Sequence, residues 1–586
     1  MKLSFAGVKK VAICVAASLS LFLVSCATTE KKGTENKADL PEKINMSAWL
    51  YNEADGVYYQ LGIAYGAKIV DAKYETLGIF VPAAYYNAKA NGDGTYTLSV
   101  NASGKVGEFT AKNAPFVMPI QTPGYAALEA PTAYESRVKE YTDNGFIFIY
   151  AGARGRDHGA PTGVVDFKAA IRYVRYNKNV LAGDTARVFT YGMSGGGAQS
   201  AILGATGDAA EYDVYLKEIG AVMSESDAIM GSMDWCPITN LDVADAAYEW
   251  ELGVARVGLD AETKRISDAL AVSFAEHINA LGLKDENGNV LTLEQSEDGL
   301  YHAGSYYEYL KRVIEKSLND FLADTTFPYN VDAQKAALGT NMLLPSDWKP
   351  RGPQGMGGAQ GNAPAIEELD GVKRAAEPTG AIKPCGTYDT VEDYIAALNA
   401  NESWVSYDSA TNTATITSVE AFMRNVKQLQ KSVAAFDDLN GTQGENTLFG
   451  IGDGKSGHFD AELAKILSGT EKGEEYAASI AQKDSVGVDV ATRVNMYNPM
   501  YYLSPAYAGY KKSTPAKYWR VHAGIFQGDT AISTELDYYL ALLQYGDGVK
   551  SAEFADVWGL YHTEAERQGT STENLIAWIK DCLKSE

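Results

Sequence analysis

Basic residues are scarce in this chain, and their scarcity excludes one class of partner. Lysine and arginine together number 51, against 75 aspartate and glutamate residues, so the net charge is −24. A protein that binds a nucleic-acid backbone needs clustered positive charge to displace counterions. The composition therefore excludes nucleic acid as a partner.

Cysteine is also scarce, with five residues in 586. Cys14 and Cys26 lie near the start of the chain, which leaves Cys236, Cys385 and Cys582. Three cysteines without paired spacing allow one disulfide at most and do not make a zinc site. No other spacing requires a metal, so we expect neither a metal nor a cofactor.

Long apolar runs are absent except for one near the N-terminus. Three lysines precede an apolar run at residues 11–24, and the sequence Leu-Val-Ser-Cys at residues 23–26 closes it. The run is shorter than the roughly 20 residues that span a bilayer, and this order is typical of a secretory signal with a lipobox. We therefore expect residues 1–26 to be a lipoprotein signal peptide and Cys26 to carry the lipid.

The lipid on Cys26 predicts where the protein lies. We expect an exported bacterial lipoprotein, anchored at the cell surface or outer membrane, that touches the membrane through the anchor alone. Residues 27–45 are rich in Thr, Lys, Glu, Asn and Gly and lack aromatic side chains. Such a segment cannot bury enough apolar surface to become ordered, so we predict a flexible tether.

A glycine-rich turn carries the main catalytic signal. The run Gly-Met-Ser-Gly-Gly at residues 192–196 has the Gly-x-Ser-x-Gly pattern of a nucleophile elbow. It follows a predicted strand at 187–191 and precedes a predicted helix at 199–205, which is the context that such a turn requires. We predict that Ser194 is a catalytic nucleophile; the alternative is a turn in which Ser194 only caps the helix.

The predicted elements around this turn alternate between strands and helices. Apolar runs at 79–82 and 146–150 are typical of strands buried on both faces of a parallel sheet. This pattern predicts an α/β-hydrolase fold, a mostly parallel sheet with helices on both faces. Further predicted elements are strands at 114–119, 518–522 and 554–558, a hairpin near 94–100, and helices at 166–176, 529–543 and 572–583.

The length of the chain predicts two domains, because more than 500 residues exceed one compact core. Between residues 239 and 497 the pattern becomes helical, polar and loop-rich. We predict that residues 46–238 and 498–586 form the catalytic domain. Residues 239–497 would form a large, mainly helical lid inserted where loops build active sites.

A serine nucleophile needs a base, and in this fold the chain order is serine, acid, histidine. Of the six histidines, His158 precedes Ser194, three lie in the predicted insertion and His522 lies in a predicted strand. His562, after the last predicted strand, is the predicted base. The alternative is a histidine in a surface loop.

The acid stays open at this point. Asp529 lies in the predicted loop after residue 522, whereas Glu535 and Asp537 lie within the helix that follows. We favour Asp529 because it lies in the loop. Its alternative role is the N-cap of that helix.

Attack by the serine creates an oxyanion, which needs two preorganised amide donors. The amide after the nucleophile, that of Gly195, is the first. We predict that Gly124, in the turn after the strand at 114–119, supplies the second. The alternative is that Gly124 is an ordinary turn glycine.

Several segments together resemble one known family. They lie at residues 80–85, 151–156, 166–174, 236–238, 247–250, 445–450 and 528–530, in addition to the Ser194 turn. In these segments the chain resembles the bacterial subtype B tannases, α/β-hydrolases that cleave gallate esters, and their feruloyl-esterase-like relatives. The resemblance implies a small aromatic ester as substrate.

The resemblance also implies three substrate contacts. Lys431, Glu445 and Asp529 match the lysine, glutamate and aspartate that hold the ring hydroxyls of the acyl group in this family. A cation and two carboxylates can hydrogen-bond adjacent phenols that an apolar slot would not distinguish. The alternative for Lys431 and Glu445 is a solvated pair on the lid surface.

The chain departs from the family at one position. The family pattern is Asp-x-Asp, whose first aspartate orients the catalytic histidine, and here the sequence is Gln527-Gly528-Asp529. The triad acid is therefore missing, moved to Asp529, or supplied by another carboxylate such as Glu535. Gln527 can accept a hydrogen bond from a histidine but cannot stabilise its positive charge.

Together these features predict a serine carboxylic ester hydrolase that acts on gallate or hydroxycinnamate esters through an acyl-enzyme. One alternative is a serine peptidase of the same fold, although no propeller repeat precedes the catalytic domain. Another is a catalytically weak surface protein that binds ligands, with Gln527 as its mark. The oligomeric state is left open.

Overall fold

The structure is a computed structural model that describes residues 40–331, 386–427 and 429–586. The predicted signal peptide with Cys26, residues 27–39 of the predicted tether, and Cys385 lie outside these ranges. Residues Asn36–Glu586 form one compact unit. Across the described ranges, no helix is long and apolar enough to cross a membrane.

A nine-stranded sheet lies at the centre of this unit. In chain order its strands are β1 (Leu50–Asn52), β2 (Val57–Ala64), β3 (Thr76–Pro82), β4 (Phe116–Ile120), β5 (Ile147–Ala151), β6 (Val188–Met193), β7 (Gly231–Trp235), β8 (Tyr518–Gly524) and β9 (Ser551–Val557). In space they follow the order β1-β2-β3-β5-β4-β6-β7-β8-β9. The pairs among β1, β2, β3 and β5 are antiparallel, and every pair from β5 to β9 in this order is parallel.

The predicted strand at 79–82 lies in β3, and its direction differs from the prediction. β3 is buried at every residue, as predicted, but it pairs antiparallel with both β2 and β5. The expectation of a parallel strand is wrong here, because burial on both faces shows that the sheet is covered and not how the strands run. The predicted strand at 146–150 lies in β5, which does pair in parallel with β4.

Helices cover the sheet, and most of them lie in the long connection between β7 and β8. This connection also contains two small antiparallel strand pairs, Tyr329–Asn330 with Thr387–Tyr388 and Val405–Asp408 with Thr413–Ile416. Two further pairs precede β4, Tyr86–Ala90 with Tyr96–Val100 and Lys105–Val106 with Phe109–Thr110. The α-helices in the described residues are α1 (Val138–Thr142), α2 (Thr162–Tyr176), α3 (Gly195–Ala205), α4 (Asp213–Glu218), α5 (Ala244–Leu252), α6 (Ala261–Leu281), α7 (Ser305–Asp324), α8 (Val391–Leu398), α9 (Val419–Asn425), α10 (Gly444–Leu448), α11 (Ala461–Ile466), α12 (Glu471–Ile480), α13 (Val490–Met496), α14 (Pro499–Leu503), α15 (Ile532–Tyr545) and α16 (Ser571–Lys584).

Helix α15 begins without a capping side chain of its own, because its N-cap residue is Ala531. The Glu251 carboxylate, at the end of α5, accepts hydrogen bonds from the backbone amides of Ile532 (2.9 Å) and Ser533 (2.6 Å). A carboxylate there satisfies free amides and complements the helix dipole. The alternative in which Asp529 caps this helix is therefore wrong, and the Asp529 side chain lies in the loop before the helix.

Candidate active site

Ser194 lies at the junction between β6 and α3 in a strained backbone conformation, with φ 63° and ψ −127°. Such a conformation costs a non-glycine residue about 1–3 kcal/mol and persists only where the surroundings enforce it. The Ser194 amide donates to the carbonyl of Trp235 at 3.0 Å. A Cβ atom on Gly196 would lie 2.0 Å from the carbonyl oxygen of Ile120, so the turn requires glycine there.

His562 lies in the loop after β9, and its Nε2 is 2.8 Å from the Oγ of Ser194. The hydroxyl of Ser194 makes no cap to α3 and points to the imidazole instead. Burial lowers the pKa of His562 below its usual 6.5, against a smaller opposing effect of Asp529. The ring is therefore neutral at neutral pH, as a general base must be.

The other ring nitrogen of His562 contacts Gln527. Nδ1 lies 2.6 Å from Gln527 Oε1 and 3.8 Å from Asp529 Oδ2. An amide oxygen only accepts, so Nδ1 carries the proton and Nε2 is free to accept one from Ser194. Gln527 thus occupies the position of the triad acid, and Asp529 lies beyond hydrogen-bond distance of the ring.

A carboxylate lies directly behind Gln527. The Gln527 side-chain nitrogen donates to Glu535 Oε1 at 3.1 Å. Glu535 also accepts from the hydroxyls of Thr530 (2.7 Å) and Thr534 (2.8 Å). Burial raises the pKa of Glu535 to about 7, against the lowering effects of these hydroxyls and of Lys427.

The two predicted oxyanion donors lie next to each other. A Cβ atom on Gly195 would lie 3.1 Å from the amide nitrogen of Gly124 and 2.7 Å from the carbonyl oxygen of Thr122. Gly124 has φ 55°, which favours glycine, and its carbonyl accepts from Arg156 Nη1 at 2.7 Å. The arginine therefore fixes the turn that carries the Gly124 amide before any substrate binds.

The three predicted substrate contacts, Lys431, Glu445 and Asp529, are all buried. Lys431 and Glu445 are 9% and 6% exposed, which excludes the alternative of a solvated surface pair. Lys431 Nζ lies 3.7 Å from the ring centroid of Phe436, and its charge lowers the pKa of His562. Glu445 lies in the first turn of α10, which packs on the turn of Gly124. Asp529 Oδ2 is buried with no hydrogen-bond partner in the described residues.

Sequence reasoning missed the role of Tyr248 on α5. Its hydroxyl donates to the carbonyl of Gly528 at 2.8 Å and accepts from the amide of Lys431 at 3.3 Å. Lys427 also reaches this loop, donating to the carbonyl of Thr530 at 2.9 Å. Tyr248 lies in one of the family-like segments, but only the fold shows that it joins the loop of Gln527 to the segment of Lys431.

The sequence predicts at most one disulfide and no metal site. Cys236 and Cys582 are free thiols, and the Cys236 Sγ donates to the carbonyl of Thr563 at 3.1 Å. Where the chain is described, no group of three His, Cys, Asp or Glu side chains is arranged to hold a metal ion.

A mostly parallel sheet, a strained serine between strand and helix, and a histidine from the loop after the last strand define the class of an α/β-hydrolase. The BD-FAE family model matches residues 108–277, which include the Ser194 turn. A comparison with curated proteins gives no match.

Solved structures resemble the whole unit. The tannin acyl hydrolase of Lactobacillus plantarum is 24% identical, with a TM-score of 0.62 over 90% of this chain and 94% of that chain. The Fusobacterium nucleatum tannase is 24% identical, with a TM-score of 0.65 over 92% of this chain and 99% of that chain. A tannin acyl hydrolase in complex with ethyl gallate is 25% identical, with a TM-score of 0.62 and coverage of 90% and 94%.

These comparisons confirm three predictions. They confirm the α/β-hydrolase fold, the resemblance to tannases and feruloyl-esterase-like hydrolases, and the class of carboxylic ester hydrolase.

Proposed function

We propose that this protein hydrolyses carboxylic esters of phenolic acids by forming an acyl-enzyme on Ser194. One observation carries the proposal: the 2.8 Å contact between His562 Nε2 and the hydroxyl of a serine held at positive φ. A serine hydroxyl becomes a nucleophile only when a positioned base removes its proton. The locked tautomer of His562 leaves Nε2 as that base.

The proposed steps follow from these contacts. His562 takes the hydroxyl proton while Ser194 Oγ bonds to the carbonyl carbon of the ester, and the amides of Gly195 and Gly124 stabilise the oxyanion. The intermediate then expels the alcohol, which takes the proton from His562. Water, deprotonated by His562 in turn, attacks the acyl carbon and releases the acid and Ser194.

The proposed acyl group is phenolic, of the gallate or hydroxycinnamate type. Lys431 and Asp529 act on His562 through their charges, and Glu445 lies on the helix that packs on the turn of Gly124. One cation and two carboxylates thus border the proposed site, and all three side chains are largely buried. Such groups recognise ring hydroxyls, since a buried polar group that finds no partner costs binding energy. In support, two of the similar solved structures are of a tannin acyl hydrolase in complex with ethyl gallate and with 3,4-dihydroxybenzoate.

The purified enzyme and its Ser194→Ala variant test this proposal on gallate, ferulate and nitrophenyl esters. We expect hydrolysis by the wild type and a loss of about 10³-fold or more in Ser194→Ala, as for other serine hydrolases. Ser200→Ala is the matched control, since Ser200 lies in α3, the helix that follows Ser194, and its hydroxyl bonds to Thr190 and Ser232 and not to His562. A wild type that binds these esters without cleaving any of them contradicts the proposal and favours a ligand-binding protein.

We also propose that the protein is exported and anchored by lipid on Cys26, at the cell surface or outer membrane. The support is the order of basic residues, apolar run and Leu-Val-Ser-Cys in residues 1–26. The tether that follows would let the enzyme meet esters outside the cell.

A further inference from the structure

The amide of Gln527 bridges His562 and Glu535 in a single orientation. Its oxygen accepts from His562 Nδ1 at 2.6 Å, and its nitrogen donates to Glu535 Oε1 at 3.1 Å. Turning the amide over would place its NH₂ group against the ring N–H and its oxygen against the carboxylate. Both contacts would then be repulsive, so the two neighbours fix the direction of the amide dipole.

Several contacts of Glu535 offset part of the cost of burying its negative charge. Glu535 is fully buried on α15 and accepts three hydrogen bonds, one from Gln527 and one each from the hydroxyls of Thr530 and Thr534. A carboxylate that accepts several hydrogen bonds is stabilised in its charged form. Lys427 is the cation that faces it, and the ionisable groups of Asp556 and Cys236 are its other charged or titratable neighbours.

We propose that Glu535 supplies the charge of the missing triad acid and acts on His562 through the amide of Gln527. The inference rests on the proposed function of Ser194 and His562. When His562 takes the proton of Ser194, the imidazolium donates to Gln527 Oε1, and the polarised amide donates more strongly to Glu535. Hydrogen bonds in such a chain strengthen one another. No proton leaves His562 toward Gln527, because an amide oxygen is far too weak a base to take a proton from an imidazolium.

Asp529 does not serve in this role, because 3.8 Å separates its carboxylate from Nδ1. Its Oδ2 has no hydrogen-bond partner in the described part of the chain, which leaves it available to a substrate hydroxyl. We call the chain His562–Gln527–Glu535 the relay. With this relay the two carboxylates have separate tasks. Glu535 stabilises the histidine, and Asp529 keeps its contact with the ring of the substrate.

A charge swap tests the relay with nitrophenyl acetate, which has no ring hydroxyl to contact the substrate site. Glu535→Gln removes the charge but keeps an acceptor for the Gln527 amide, and we expect kcat to fall about 10- to 100-fold, the range of a hydrogen bond to a charged group. The double variant Gln527→Glu/Glu535→Gln moves the negative charge from position 535 to position 527, in direct contact with His562 Nδ1. We expect it to recover at least the kcat of the wild type.

Asp537→Asn is the matched control. Asp537 lies on the same helix, is also buried, and accepts from the Tyr306 hydroxyl at 2.7 Å, away from His562. We expect this variant to keep the kcat of the wild type. Melting temperatures of all variants show which of them fold.

The pH profile gives a second readout that a purely structural role would not change. Glu535 is charged above its pKa of about 7, so kcat of the wild type should fall as the pH falls through 7. Glu535→Gln should lose this step and keep only the step of His562, whose pKa lies below 6.5.

Three outcomes overturn the relay: a wild-type kcat in folded Glu535→Gln, a double variant no better than Glu535→Gln, or an unchanged pH profile. If the wild type itself hydrolyses no ester, the proposed function fails first. If the wild type is active, Ser194→Ala is inactive and Glu535→Gln is as active as the wild type, the relay alone is wrong and the proposed function stands.

Discussion

Two charged residues, Asp529 and Lys431, flank His562 and act on it in opposite directions. Burial lowers the pKa of His562, Asp529 raises it and Lys431 lowers it. Asp529 makes no hydrogen bond to the ring, since 3.8 Å separates it from Nδ1. At the scale of the residue, both side chains are therefore expected to act on the substrate directly and on the base only through their charge.

Asp529→Asn should separate substrate contact from a triad role. We expect kcat/KM for gallate esters to fall about 10- to 100-fold, the loss of a charged hydrogen bond, and kcat for nitrophenyl acetate to fall less than about tenfold. Because the Asp529 carboxylate raises the pKa of His562, its loss should move the His562 step of the pH profile to lower pH.

Lys431→Met is the matched comparison for this variant. It should also lose activity on gallate esters, but it should move the acid limb to higher pH, since the Lys431 charge lowers the pKa of His562. Equal losses on both ester types in Asp529→Asn would instead make Asp529 the triad acid.

The sequence predicted Ser194 and His562 because each depends on local pattern and chain order. Glycines mark the turn, and only one histidine follows the last strand. The departure at Gln527 was also visible, but its consequence was not. Glu535 was one of several possible acids, and only the direction of the Gln527 amide, which bonds eight positions along the chain, distinguishes it from the others.

At the scale of the element, α15 decides where Glu535 lies. The helix begins at Ile532, five residues after Gln527, and its first amides bond to Glu251 from α5. The cap thus comes from the inserted segment between β7 and β8 and not from the helix itself. A sequence pattern cannot reveal such a cap, because the two parts lie 281 residues apart.

Glu251→Gln should destabilise the protein at this helix end. The glutamine offers one acceptor in place of two charged ones, so we expect the free energy of unfolding to fall by about 1–3 kcal/mol. Denaturant unfolding measures the change, with Glu218→Gln at the exposed end of α4 as the control. Equal unfolding midpoints for the two variants would show that Glu251 contributes nothing as a cap.

The apolar runs of the sequence predict where the strands lie but not in which direction each strand runs. The runs at 79–82, 146–150, 187–191, 518–522 and 554–558 all lie in or overlap strands of the sheet. β3 nevertheless runs antiparallel to its neighbours, since both orientations bury the same apolar side chains.

At the scale of the whole molecule, the inserted segment and the sheet form one compact unit. Tyr248 bonds to the Gly528 carbonyl, and the Trp558 indole donates to the Tyr394 hydroxyl at 2.7 Å. These contacts hold the predicted lid at the catalytic loop on one side and at the end of β9 on the other. The proposed substrate site is therefore built from segments that are distant along the chain.

Cys26→Ser tests the proposed anchor at this scale. In cells that produce the full chain, labelled palmitate should enter the wild type and not the variant, and only the wild type should sediment with membranes. The esterase activity of the variant should match that of the wild type, since Cys26 is far in the sequence from every proposed catalytic and substrate-contact residue. A variant that takes up the label and stays with membranes contradicts the lipid site.

The Gln527 amide couples two positions of the sequence. A carboxylate introduced at 527 alone would lie about 3 Å from Glu535, and two carboxylates that close cannot both stay charged in a buried site. One of the two would take up a proton, so Gln527→Glu alone would leave a single charge shared between positions 527 and 535. Changing both residues, as in Gln527→Glu/Glu535→Gln, would instead place that charge at position 527, in contact with His562, without a second carboxyl to share it.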